Sequence, residues 1–101
     1  MNKYVVIFHV GAPIDETPEF IEANMSWFKK LGEKLIDSGN PFNPDAEAHI
    51  SQGKIEHKPD TAAGYCLVNA ANLDEAIELV KTHPLANMEG CSTNVYETMA
   101  M

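Results

Sequence analysis

Basic residues and cysteine are both scarce in this sequence of 101 residues. There are 7 Lys and Arg against 15 Asp and Glu, so the formal net charge is −8 at pH 7. Nucleic acids and anionic membranes attract basic surfaces, and this balance argues against both as partners. The cysteines, Cys66 and Cys91, are too far apart for a CxxC motif, and each lies in or beside a predicted strand. That position favours small buried residues over a disulfide or a nucleophile.

Long apolar runs are missing as well. No run approaches the roughly 20 residues that a membrane-spanning helix needs. The apolar stretch after Lys3 is short and meets His9 without a small-residue cleavage pattern, which argues against a signal peptide. The apolar fraction of 45% suits a globular protein. We therefore predict a cytoplasmic protein with a single domain over residues 1–101.

The signatures of several enzyme classes are also absent. The sequence has no phosphate-binding glycine loop, nucleophile elbow or serine triad pattern, and Gly11-Ala12-Pro13 is too poor in glycine to cradle a nucleotide. It has no short-spaced ligand pair such as HxxxH or CxxC, which argues against a zinc site. The sequence therefore predicts neither a metal nor a cofactor.

The first half of the chain predicts a strand followed by a long helix. The run Lys3 to His9 is apolar at nearly every position, which is typical of a central strand with both faces covered. Thr17-Pro18 is a favoured helix start, and an apolar stripe follows at helical spacing. Because Leu35 and Ile36 continue this stripe, we expect the helix to end at Gly39.

The second half predicts a hairpin and then a strand, a helix and a strand. Residues 47–50 and 54–57 fit two short strands joined by the three-residue turn Ser51-Gln52-Gly53. Gly64 to Ala70 is a largely apolar strand, and Asn72 with Glu75 forms a capping-box pattern for the next helix. Cys91 to Met99 predicts the last strand.

This order of elements predicts an α+β fold of the ferredoxin-like β-α-β-β-α-β type with an extra hairpin. An antiparallel sheet of this kind carries its two helices on one face. The predicted strands Lys3–His9 and Gly64–Ala70 are apolar on both faces, so the open face needs a cover. A second copy of the chain would supply it, and we expect a homodimer.

Several positions of the last third form a pattern that is typical of a known family. They are Gly64-Tyr65, Leu73-Asp74-Glu75-Ala76-Ile77, Pro84, Gly90 and Val95-Tyr96-Glu97. Together they resemble the YCII-related family, in particular its DGPF branch, and the resemblance covers the first strand, the first helix and above all residues 64–98. It implies a dimeric α/β barrel built from two ferredoxin-like subunits. Most members have no established activity, while a few relatives in the wider superfamily are cofactor-free lyases, isomerases or oxygenases acting on small molecules.

The chain departs from the family pattern in two places. Where the branch has its Asp-Gly-Pro-Phe motif, this chain has His57-Lys58-Pro59-Asp60 and keeps only the proline. Many members also carry a histidine in the first helix, where this chain reads Trp27-Phe28. An acid/base role for a helix histidine therefore cannot be transferred.

The hairpin offers one group of candidate site residues. If Ile50 pairs with Lys54, then Glu47, His49, Ile55 and His57 project from one face. A carboxylate beside two imidazoles could shuttle a proton or bind a divalent metal. The alternative is a solvated hairpin face with a cross-strand Glu-His pair, since a shift of one residue would scatter the set.

His9 is the first candidate for proton transfer. It ends the central strand, where a pocket between the sheet and a helix is expected to open, and could act as a general base. Tyr65 and Asn69 share one face of the neighbouring strand and could bind a ligand there. The alternative for His9 is a hydrogen bond to a neighbouring backbone group. For His83, near the end of the second helix, an interaction with the helix dipole is favoured over chemistry.

Two functions from different classes are compatible with these residues. In the first, a dimer binds a small organic molecule and acts on it as a lyase or isomerase, with His9, His49 and His57 as the catalytic candidates. Glu47, Tyr65 and Asn69 are then the ligand-binding candidates. In the second, the protein is a non-catalytic dimeric binding or interaction module.

Overall fold

The computed structural model describes residues 1–100, which form six strands, two α-helices and two short 3₁₀ turns. The strands are β1 (Asn2–Val10), β2 (Leu35–Asp37), β3 (His49–Ser51), β4 (Lys54–Glu56), β5 (Ala62–Ala70) and β6 (Cys91–Glu97). The helices are α1 (Pro18–Leu31) and α2 (Leu73–Val80), and the 3₁₀ turns span Gly32–Lys34 and Pro84–Ala86. No helix within the described residues is long and apolar enough to cross a membrane.

Four strands form one antiparallel sheet in the order β2-β5-β1-β6. β1 is central, and its Val5 pairs with Leu67 of β5 on one side and with Tyr96 of β6 on the other. β3 and β4 form a separate hairpin. This strand order with the two helices is the ferredoxin-like arrangement. The predicted α+β fold with an extra hairpin is confirmed.

The starts of both helices are where the sequence predicts them, because each is fixed by a side-chain cap. Thr17 Oγ1 accepts a hydrogen bond of 3.1 Å from the Phe20 N–H, with Pro18 as the first helical residue. Asn72 Oδ1 accepts one of 2.9 Å from the Glu75 N–H. These contacts satisfy N–H groups that have no partner inside a helix.

The predicted end of the first helix at Gly39 is wrong. α1 ends at Leu31, and Gly32 follows with a φ of 54°, a conformation that glycine adopts without steric cost. Leu35 then pairs with Val68 of β5, so the segment expected to be the last helical turn is the edge strand β2. The apolar side chains at 35 and 36 fit either element, and pairing with β5 decides between them.

The predicted register of the hairpin is also wrong by one residue. His49 pairs with Glu56, Ile50 with Ile55 and Ser51 with Lys54, which leaves the two-residue turn Gln52-Gly53. Both turn residues have positive φ, 52° and 78°, as type I′ turns require. In this register His49 and Ile55 no longer face each other, so the expected set on one face is not formed.

The core lies between the sheet and the two helices. Alternate residues of β1 and β5 face it, together with residues of α1 and α2: Tyr4, Val6, Phe8, Trp27, Leu31, Cys66, Val68, Ala70, Ala76 and Val80. The Phe8 ring meets Trp27 edge-on, with 6.5 Å between the centroids. The intervening residues of the two strands, such as Val5, Ile7 and Leu67, are half-buried on the opposite face, which no helix covers. We call this surface the open face.

Candidate functional site

A cleft of about 450 Å³ lies between α1 and the end of the sheet where β1 finishes. Its walls are the rings of Phe8, Phe20 and Phe28 and the apolar residues around them. The residues that line it are Phe8, Val10, Ile14, Glu16, Phe20, Asn24, Phe28, Ser38, Gly39, Asn40, Pro41, Ala63, Gly64, Tyr65, His83 and Leu85. Small-molecule sites are typically concave and apolar with a few polar groups, which is the character of this cleft.

The segment 38–41 closes one side of the cleft by packing directly on β5. The Phe42 N–H donates to the Ala63 carbonyl at 2.8 Å, and Pro41 bridges to Gly64. Gly39 has a φ of 69°, and a Cβ placed there would lie 1.8 Å from the Tyr65 carbonyl oxygen. The wall therefore depends on the absence of a side chain at residue 39.

His83 is fully buried at the base of the cleft, between α1 and β1. Its ring lies 4.4 Å from the Phe8 ring and 4.6 Å from the Trp27 ring, measured between centroids. Its Nδ1 accepts a hydrogen bond of 3.0 Å from the Leu85 N–H, and its Nε2 lies 2.7 Å from Asn24 Oδ1. Both ring nitrogens are thus paired inside the protein.

Burial among these aromatic rings lowers the pKa of His83 to about 4, because a charged imidazole would lose its hydration there. The sequence favours a helix-dipole interaction for this histidine, and the structure shows a different contact. His83 lies beyond the end of α2 and caps the 3₁₀ turn Pro84–Ala86 through its Nδ1.

Charge at the cleft is of one sign. Glu16 is the only Asp, Glu, Lys or Arg among the lining residues. The other polar residues that line it are Asn24, Ser38, Asn40, Tyr65 and His83. Uncharged or cationic groups therefore meet less electrostatic repulsion in this cleft than anionic groups do.

His9 lies outside the cleft, although its neighbours Phe8 and Val10 line it. Side chains alternate along β1, so His9 shares the open face with Val5 and Ile7. Its Nδ1 lies 3.0 Å from Thr61 Oγ1 in the segment before β5. The hydrogen bond considered for it is thus made to a side-chain hydroxyl, and its role in proton transfer stays a prediction.

Tyr65 and Asn69 lie on the same side of β5, as expected, and face Ile7 and Lys3 of β1. The Tyr65 ring stacks on Phe42, with 5.9 Å between centroids and 14° between planes. Tyr65 borders the cleft, whereas Asn69 is not among the residues that line it. Their roles in ligand binding stay predictions.

The hairpin candidates lie apart from this cleft. Glu47 and His49 line a second concave surface beside the hairpin, together with Lys58 and Asp60. His57 turns its Nδ1 to the Glu47 carbonyl at 2.8 Å, so it contacts the backbone of Glu47 and not its carboxylate. Within residues 1–100 no group of three or more His, Cys, Asp or Glu side chains is placed to hold a metal.

Both cysteines are free, as the sequence indicates. Cys66 is fully buried in the core, and burial raises the pKa of its thiol to about 12. Such a thiol is not a nucleophile near neutral pH. Cys91 is half-buried at the start of β6.

The contact between Asn24 and His83 does not follow from the sequence. The two residues are 59 positions apart, on different elements, and no motif connects them. One signal was available: Asn24 lies within the apolar stripe of α1 and is only half-buried, and a polar residue at such a place needs a partner.

The fold is similar to that of a solved enzyme structure. No family model and no curated protein matches the chain. Among solved structures, the 5-chloro-2-hydroxyhydroquinone dehydrochlorinase from Burkholderia phenoliruptrix AC1100, in complex with 2,5-dihydroxybenzoquinone, has a TM-score of 0.54 and 16% sequence identity. The alignment covers 95% of this chain and 93% of that one. This likeness supports the ferredoxin-like fold of the single chain, while the YCII-related family, its DGPF branch and the dimeric α/β barrel stay what the resemblance implies.

Proposed function

We propose that this protein binds a small organic molecule in the cleft and acts on it by proton transfer, as a lyase or isomerase without a cofactor. The observation that carries the proposal is that three phenylalanines and the Asn24–His83 pair line the same cleft of about 450 Å³. A site of this kind surrounds a ring with apolar contacts and orients it with a few fixed polar groups. The solved dehydrochlorinase supports the proposal, because a protein of similar fold acts on a small aromatic molecule.

Removal of HCl takes a proton and a chloride from one molecule, so such a reaction needs a proton acceptor and no redox partner. Glu16 is the only carboxylate at the cleft, and we propose it as the acceptor. His9 is the alternative acceptor, with the hairpin histidines His49 and His57 next. All three would act from surfaces outside the cleft, so variants of Glu16 and His9 distinguish the two locations.

The experiment measures chloride release from 5-chloro-2-hydroxyhydroquinone by the purified protein. We expect Glu16→Gln to lower the rate about 100-fold or more, as loss of a general base does, and His9→Gln to leave it unchanged. Phe28→Trp should also block turnover by filling the cleft, whereas Phe42→Trp is the matched control on a ring outside it. Turnover that survives Glu16→Gln and Phe28→Trp but is lost in His9→Gln would move the site to the open face.

A non-catalytic dimeric module is the second candidate, and the open face is the observation that favours it. Val5, Ile7 and Leu67 lie there half-exposed, and Tyr96 of β6 is 55% exposed on the same side. We propose that a second copy of the chain covers this face, because removing an apolar sheet surface from water lowers the free energy of the system. A dimer that binds no ring compound in the cleft would support this function over the first.

A further inference from the structure

The hydrogen bond from Leu85 determines which nitrogen of His83 carries the proton. The Leu85 N–H donates to Nδ1 at 3.0 Å, so Nδ1 holds a lone pair there. A neutral imidazole with a lone pair on Nδ1 has its hydrogen on Nε2. His83 Nε2 therefore donates to Asn24 Oδ1, which lies 2.7 Å away.

This bond in turn fixes the orientation of the Asn24 amide. Its oxygen is held by His83, so its NH₂ group points away from the imidazole. Within residues 1–100 the NH₂ group makes no side-chain hydrogen bond, while Thr93 Oγ1 is the only buried side-chain N or O atom there without a partner. Asn24 Nδ2 is thus accessible, and Asn24 lines the cleft. The result is a donor group with a fixed direction at an apolar opening.

We infer that Asn24 is a specificity residue: its NH₂ group donates a hydrogen bond to an acceptor oxygen on an uncharged aromatic ring, and His83 positions it. This inference rests on the proposed function and names the ligand class of the same cleft. Three phenylalanines supply the contact for the ring. An anionic carboxylate would meet no cation, because the lining holds Glu16 and no Lys, and the chain contains no Arg.

Three probes of nearly equal shape separate these requirements: acetophenone has a ring and an uncharged acceptor, ethylbenzene has no acceptor, and benzoate has a charged one. Their binding to wild-type protein labelled with ¹⁵N and ¹³C is followed by the side-chain NH₂ signals of Asn24 and by the ring C–H signals of Phe8 and Phe28. We expect acetophenone to bind about tenfold more tightly than ethylbenzene, as one satisfied hydrogen bond predicts, and benzoate to bind most weakly. Acetophenone should also shift the Asn24 NH₂ signals.

Asn24→Asp tests the donor itself, because a carboxylate still accepts from His83 but offers no NH₂. The preference for acetophenone over ethylbenzene should disappear in this variant. Asn40→Asp is the control, since it brings the same charge to another asparagine that lines the cleft and should keep the preference. Long-range ¹⁵N spectra of His83 in the wild type should show hydrogen on Nε2; hydrogen on Nδ1 would overturn the orientation assigned to the Asn24 amide.

The outcomes separate this inference from the function on which it rests. Equal binding of acetophenone and ethylbenzene to the wild type would leave the cleft as a binding site and overturn the donor role of Asn24. The same conclusion follows if benzoate binds best or if the preference survives Asn24→Asp. If none of the probes shifts the Phe8 and Phe28 signals, the cleft is not an aromatic site, and the proposed function is overturned together with the inference. The comparison of the three probes uses only the wild-type protein, so it does not depend on whether Asn24→Asp folds.

Discussion

Burial of the His83 imidazole couples the stability of the protein to pH. The pKa of this histidine falls from the ordinary value of 6.5 to about 4 in the folded state. The unfolded chain therefore binds a proton more readily, and the stabilisation is complete above pH 6.5 and is lost as the pH falls towards 4. The difference corresponds to about 3 kcal/mol of unfolding free energy.

Urea unfolding of the wild type and of His83→Gln, at about pH 7 and about pH 4, measures this contribution. Carboxylates titrate in the same range in both proteins, so the difference between the two pH dependences isolates His83. We expect the wild type to lose about 3 kcal/mol more than the variant on acidification. Equal losses would show that the imidazole is hydrated in the folded protein.

For individual residues, the sequence shows which side chains are present but not which of them are in contact in the folded protein. His83 and Asn24 are 59 positions apart, and their contact depends on how α1 and the segment after α2 pack on β1. Packing of this kind is set by the whole core and leaves no local motif. His9 is the opposite case: its position on the strand could be predicted, but the direction of its side chain relative to the cleft depended on which face the helices cover.

Gly39 holds segment 38–41, the wall of the cleft, against β5. Gly39→Ala would place a methyl group 1.8 Å from the Tyr65 carbonyl oxygen, and segment 38–41 would have to move away from β5. We expect a loss of about 2 to 5 kcal/mol in unfolding free energy and a weaker binding of ring compounds.

Gly53→Ala is the matched control for this substitution. Gly53 also has a positive φ, 78°, but a Cβ there would meet nothing within 4 Å. Only the conformational cost of about 1 to 2 kcal/mol then applies. Thermal and urea unfolding of the two variants provide the comparison, and equal losses would show that the contact with Tyr65 does not restrict residue 39.

The starts of the helices could be predicted because their caps are local in sequence. Thr17 reaches the Phe20 N–H and Asn72 reaches the Glu75 N–H, each three residues away. The end of α1 and the existence of β2 are not determined by residues that are near in sequence. They depended on the pairing of Leu35 with Val68, a residue that belongs to another part of the chain. Gly32 was the one local signal of the helix end.

At the scale of the whole molecule, the open face predicts self-association. Leu67→Lys places a charge in the middle of this face, where burial of an unpaired ammonium group is costly. We expect light scattering after size-exclusion chromatography to show a dimer for the wild type and a monomer for Leu67→Lys.

The control for this experiment is Ile77→Lys, since Ile77 is 43% exposed on α2 and lies away from the open face. This variant should remain dimeric. A monomeric wild type, or a Leu67→Lys protein that keeps its mass, would remove the open face as the dimer interface. Thermal unfolding of both variants checks that they are folded.

The β3–β4 hairpin is a site where the chain can be cleaved or interrupted without loss of the main sheet. All residues from 48 to 61 are exposed, and the two strands pair only with each other. The cleft is lined by residues from Phe8 to Pro41 and from Ala63 to Leu85, which lie on either side of the hairpin. A protease is therefore expected to cleave the chain here, and the two fragments would stay joined through the β1–β5 pairing. The same place is expected to accept an inserted peptide or a pair of new termini while the cleft keeps its shape.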